Sequence, residues 1–208
     1  HPEARRVQFY HPDAVEWKKL LDKEDADSAI KFIRNGRDAW IINTYLMLRK
    51  RCIPARLVDN FIGPGIYVCH YDDIPKNGYP RKQFIIAIRA DRDRTFMCDI
   101  EVVQSPSSIE HRNAHYIPHW TQANLIPRDS SRGSNITTLG YFGESKNLAS
   151  RFRSSSFREH LAALGVTLKL HATPASWEDY SEIDLVLAVR DGSDYFLASK
   201  PATKLFNA

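Results

Sequence analysis

With 208 residues, of which 43% are hydrophobic and 26% charged, the chain has room for one large domain or two small ones and the composition of a globular protein. No apolar run approaches the roughly 20 residues of a membrane-spanning helix, and His1-Pro2-Glu3-Ala4-Arg5-Arg6 lacks the apolar stretch of a secretory signal. The net charge of +4 fits a nucleotide, a nucleic acid or an anionic membrane surface and does not choose among them.

The first strand is predicted over 6–11, followed by an amphipathic helix over 15–21. A second short helix, capped by Asp27-Ser28, runs through Phe32 and Ile33 and ends at Gly36. Asp38 starts a stronger helix, because Trp40, Ile41, Tyr45, Leu48 and Cys52 recur at helical spacing. Arg49, Lys50 and Arg51 suit its carboxyl end. Short apolar strands follow over 55–59, 66–71, 84–89, 100–104 and 115–120, with the continuous apolar character of buried parallel strands.

The composition changes over 121–134, where Pro, Asn, Asp, Ser, Arg and Gly dominate, and this stretch reads as a domain linker. The pattern then restarts with a strand over 136–142, a helix over 148–164, and a strand over 166–171. A short helix around Trp177 and Tyr180 and a strand over 183–190 complete it. The expected fold class is therefore α/β, with two Rossmann-like domains over 1–120 and 135–208, the second incomplete. The lack of an initiator Met, and of a closing element after Ala208, reads as a chain that continues at both ends. Cys52, Cys69 and Cys98 read as free buried thiols of a reducing compartment.

The segment Ser199-Lys200-Pro201-Ala202-Thr203-Lys204-Leu205-Phe206-Asn207-Ala208 reads as a helix start at the carboxyl end of a strand. Pro201 suits the first helical turn, unpaired N–H groups there favour an anion, and Lys200 and Lys204 add full charges. A solvated basic helix start is the plain alternative.

Leu139-Gly140-Tyr141-Phe142-Gly143, Asp179-Tyr180-Ser181-Glu182-Ile183-Asp184 and the 200–208 segment together resemble the donor-nucleotide domain of GT-B glycosyltransferases of the family 4, group 1 kind. The first half resembles a GT-B acceptor domain in its order of elements only. The resemblance implies transfer of a sugar from a nucleotide-sugar to an acceptor that is a glycan, a lipid-linked molecule or a small molecule. It implies stabilisation of the leaving diphosphate by cations and a helix start, with no metal and no cofactor. Gly143, Lys146, Arg190, Lys200, Thr203, Lys204 and Asn207 are then the donor-binding candidates. The two glutamates seven residues apart that the family commonly carries are not seen, which leaves the donor and the stereochemical outcome open.

An inverting reaction needs a base at the carboxyl end of a first-domain strand, and His70, Asp72 and Asp73 are the candidates. Asp73 serves equally as a turn cap and His70 as a packed strand residue. His119 and Trp120 are candidates for the cleft edge, with domain packing as the alternative. Asp91-Arg92-Asp93 matches a metal-binding D-x-D pattern but reads as a solvated loop, and Asn135-Ile136-Thr137 as a chance glycosylation match. A cytoplasmic enzyme, in peripheral contact with a membrane if its acceptor is lipid-linked, is the leading reading. A nicotinamide or flavin enzyme lacks the G-x-G-x-x-G turn, a non-enzymatic ligand-binding module stays open, and scattered basic residues argue against nucleic acid.

Overall fold

A computed structural model describes residues 6–75, 82–94, 97–200 and 203–208. The protein is α/β, with a six-stranded and a three-stranded sheet, both parallel. By contacts it divides into His1–Trp120 with Ala198–Pro201, and Thr121–Leu197 with Ala202–Ala208.

In the first unit, β1 (Val7–Tyr10) leads through α1 (Ala14–Leu21), α2 (Ala26–Ala29) and α3 (Gly36–Lys50) to β2 (Ala55–Val58). Then come β3 (Gly65–His70), β4 (Gln83–Ala90), β5 (Ile100–Val103) and β6 (Ala114–Tyr116), in the sheet order β2-β1-β3-β4-β5-β6. Its core forms where Tyr67 and Cys69 of β3 meet Ile85 and Ala87 of β4. Val68, His70 and Ile88 are buried too, so both faces of these strands are covered, which accounts for their continuous apolar sequences.

Helix α3 packs on β1, β2 and β3 through Trp40, Ile41, Ile42, Tyr45 and Leu46, all buried. Its start differs from the sequence expectation. Gly36 opens the helix instead of ending the previous one, because the Asn35 side chain accepts the Asp38 N–H at 3.0 Å as an N-cap. Asp38 is then a buried first-turn residue. Ahead of it, Asp25 caps α2, which passes into a 3-10 turn at Ile30–Phe32.

In the second unit, β7 (Thr138–Phe142) is central, flanked by β8 (Thr167–His171) and β9 (Leu185–Val186). Gly140 is required where it stands, since a Cβ there would lie 2.7 Å from Cγ2 of buried Ile183. The helix expected over 148–164 is shorter. Ser150–Arg153 forms a 3-10 turn, and the Ser154 hydroxyl caps α4 (Ser155–Ala163) by accepting the Phe157 N–H at 3.1 Å. The strand expected over 183–190 reduces to β9, because after Leu187 N–H donates to the Gly140 carbonyl at 2.8 Å the chain leaves the ladder. The short helix expected around Trp177 and Tyr180 is a 3-10 turn at Pro174–Ser176. Helices α5 (Asp194–Ser199) and α6 (Thr203–Asn207) follow.

The linker stretch is held down firmly within this unit. The Asp184 carboxylate, its side chain 0% exposed, accepts from the Arg128 and Arg132 guanidiniums, from Thr137 N–H and Oγ1–H, and from Thr138 N–H. These donors hold it far below the usual carboxylate range, Arg132 making the largest contribution. Among the described residues, no helix is long and apolar enough to cross a membrane. Cys52 is exposed, against the expectation of three buried thiols, while Cys69 is buried and Cys98 partly so. Burial raises the thiol pKa of Cys69 and pushes that of Cys98 up to about 12.

Candidate functional site

Each sheet reverses its strand order once, and α/β proteins bind ligands outside the carboxyl ends of the strands at such a point. In the first unit the reversal lies between β1 and β3, and in the second between β7 and the strands on either side of it.

In the second unit, β7 ends at Phe142 and the chain turns at Gly143, whose φ of +142° suits glycine alone. A Cβ on Gly143 would lie 3.6 Å from the Lys204 ammonium and 3.4 Å from the Tyr141 hydroxyl. Lys204, on α6, points its ammonium at the Tyr141 ring, 5.0 Å from the centroid. Burial, and then the nearby Arg190 charge, pushes its pKa down to about 8. Arg190 lies over Phe196, 5.9 Å from the ring centre. Among the described residues, neither Lys204 nor Arg190 has a carboxylate within 4.0 Å. Two neighbouring cations beside a glycine turn, one of them desolvated, make an arrangement that an oxyanion would neutralise.

The other donor-side candidates are placed differently. The exposed Lys146 pairs with Glu144 at 2.6 Å. Lys200 pairs with Asp91 within the first unit, after helix α5, which separates it from β9. Thr203 opens α6, and Pro201, expected in the first helical turn, lies with Ala202 outside the described residues. Asn207 ties α6 to the linker, its Oδ1 accepting the Gln122 N–H at 2.9 Å and its Nδ2 donating to Gln122 Oε1 at 3.1 Å.

In the first unit, His70, Asp72 and Asp73 do stand at the end of β3, and they differ sharply. His70 Nδ1 accepts the Asp72 N–H at 3.3 Å, and burial lowers the pKa of the imidazole. Asp72 accepts from Arg92 at 2.9 to 3.1 Å, which lowers its pKa and takes up both its oxygens. Asp73 is the buried one, its side chain 8% exposed, paired at 2.9 Å with Arg37. Burial raises its pKa against the opposing charge of Arg37. His119 and Trp120 pack on α3. The His119 ring meets Trp40 edge-on at 5.3 Å, and Trp120 Nε1–H donates to Thr44 Oγ1 at 2.9 Å. Of the D-x-D pattern, Asp91 is taken up by Lys200 and Arg92. Among the described residues, no group of three His, Cys, Asp or Glu is disposed to hold a metal ion.

Sequence reasoning missed Arg37. Its signal was the Asn35-Gly36-Arg37-Asp38 start of α3, which puts a guanidinium in the first helical turn. No protein-family model, curated protein or solved structure matches the chain.

One prediction follows from the glycine turn. Gly143→Ala places a Cβ on a backbone with φ of +142°, a strained conformation although the Cβ itself makes only ordinary contact with the Tyr141 hydroxyl and the Lys204 ammonium. The expected cost is about 1–3 kcal/mol of stability, readable by thermal unfolding.

Proposed function

We propose that the protein is a glycosyltransferase of GT-B type, hexosyltransferase-like, which moves a sugar from a nucleotide-sugar to a hydroxyl acceptor. The observation that carries this reading is the Lys204–Arg190 pair beside Gly143, at the carboxyl end of the central strand of a parallel sheet. Breaking the anomeric C–O bond leaves a nucleoside diphosphate with growing negative charge. A cation pair already in place stabilises that charge without reorganising at the moment of reaction. Gly143 lets backbone approach the phosphates, and Thr203 adds a hydroxyl at the start of the same helix. In this proposal the chain's own cations do the work that a metal does elsewhere, and the enzyme works in the cytoplasm, docking on a membrane surface where its acceptor is lipid-linked. Asp73 is the acceptor-side base, because it alone of His70, Asp72 and Asp73 keeps a buried carboxylate oxygen without a hydrogen-bond partner.

Saturation-transfer NMR with UDP, GDP and NAD tests the ligand class, and release of free nucleotide from a nucleotide-sugar tests turnover. Binding of NAD in preference to UDP and GDP would turn the reading to a dinucleotide enzyme. Binding without turnover would turn it to a ligand sensor.

A further inference from the structure

The end of β3 and the start of α3 meet at the strand-order reversal of the first unit. Most of the polar groups gathered there are hydrogen-bonded, and two charged ones that face each other are not fully so. His11 Nδ1 accepts the Asp13 N–H at 3.1 Å, and its Nε2 lies 3.0 Å from Asp38 Oδ1. Asp38 Oδ2 accepts from Arg34 N–H at 3.2 Å and Asn35 Nδ2 at 3.0 Å. Arg37 and Asp73 are joined at one corner only, Nη2 to Oδ1. The remaining edge of each, Nε–H of Arg37 and Oδ2 of Asp73, is buried with no hydrogen-bond partner. Leaving such groups unpaired costs about 1–3 kcal/mol apiece, so the pair is arranged for something that supplies both bonds.

Neither atom is open to solvent here, so a ligand reaches them only as the more exposed Arg37 side chain, 33% against 8% for Asp73, swings aside. The ligand must offer an acceptor to Arg37 and a donor to Asp73. A phosphate or carboxylate offers only acceptors and would meet the Asp73 charge. An ammonium offers only donors and would meet Arg37. A hydroxyl does both from one atom, and two adjacent hydroxyls do it with one atom each.

We infer that Arg37 and Asp73 form a binding site for a neutral polyol, in which Arg37 Nε–H donates to a hydroxyl oxygen and Asp73 Oδ2 accepts a hydroxyl hydrogen. This rests on the proposed transfer in one respect, that the polyol is then the sugar acceptor. Arg37 is the positioning residue and sets specificity for uncharged compounds. Tyr10 lines the same region, its phenol pKa raised by burial and then by the Asp73 charge.

The test follows the Arg37 Nε–H resonance in 15N spectra of the full chain during separate titrations with methyl α-glucopyranoside, myo-inositol and UDP. The expected result is a saturable shift with at least one polyol, unmoved by UDP, with polyol affinity weakened about tenfold or more in Asp73→Asn and in Arg37→Met, the latter read by titration calorimetry because the Arg37 signal is gone. No shift with either polyol, or unchanged polyol affinity in folded Asp73→Asn and Arg37→Met, overturns the inference. The wild-type titration decides the matter if a variant does not fold. UDP binding through Lys204 without polyol binding sinks this site alone. Polyol binding without UDP binding keeps the site and sinks the transfer.

Discussion

Replacing Lys204 by alanine should weaken UDP or GDP binding about ten- to a hundredfold, the loss of a charge-assisted contact of about 1.5–3 kcal/mol. Lys200→Ala should change the same affinity by less than about twofold, because the Lys200 ammonium is engaged by Asp91. Titration calorimetry on both variants checks this, and equal losses would remove Lys204 from its special position. The pH dependence sharpens the test. The Lys204 pKa lies near 8 instead of the ordinary 10.5, so the proton is lost as pH rises through about 8. The terminal phosphate of a nucleoside diphosphate, with a pKa near 6, keeps its charge over that range. Wild-type affinity should therefore fall between about pH 8 and 9.5, and that of Lys204→Ala should stay flat. Stability in the absence of ligand runs the other way. A depressed lysine pKa contributes stability above 10.5 that is lost as pH falls through about 8.

Truncating Glu101 to alanine should destabilise the first unit by about 3–5 kcal/mol, a large share of the stability of a domain. Glu101 sits on β5 with its side chain 0% exposed, 3.6 Å from the Arg89 guanidinium, which is itself 4% exposed. Its two oxygens accept from Tyr71 Oη at 3.1 Å and lie 3.0 Å from His111 Nε2. Removing the carboxylate leaves a buried cation held by Glu110 at 3.2 Å and the Arg92 carbonyl at 2.9 Å, and a partly buried phenol without its acceptor. Glu101→Gln keeps the shape and one acceptor, and should fall between wild type and alanine. Urea unfolding followed by tryptophan fluorescence in a Trp177→Phe background reports on the first unit, which holds Trp17, Trp40 and Trp120, Trp177 lying in the second. A loss under about 1 kcal/mol in Glu101→Ala would mean that the site collapses onto Arg89 without penalty.

The sequence carries the β3 and β4 strands openly, because both faces of a parallel sheet are buried and the apolar runs are long, while β1 and β5 stay legible although Gln8 and Glu101 interrupt them. Helix starts were harder to see. Gly36 reads as a stop only until Asn35 is recognised as a cap, and one helix over 148–164 reads well until Ser154 interrupts it. Apolar Leu187, Ala188 and Val189 look like strand but lie past the last ladder bond. At the sites, Lys204 was legible as a cation at a helix start and Gly143 as a glycine turn, while their meeting was not. The Asp91–Lys200 pair, 109 residues apart, and the Arg37–Asp73 pair were not, since only tertiary folding decides which charge meets which.

The way one carboxylate gathers Arg128 and Arg132 has a practical outcome for dissecting the chain. A recombinant piece of the second unit that starts at residue 135 would strip Asp184 of both guanidiniums, leaving an anion stranded at the foot of β7. Starting upstream, at Thr121, retains both clasps, and limited proteolysis of the whole chain should spare the stretch from Arg128 to Arg132 although its composition resembles that of a loose tether.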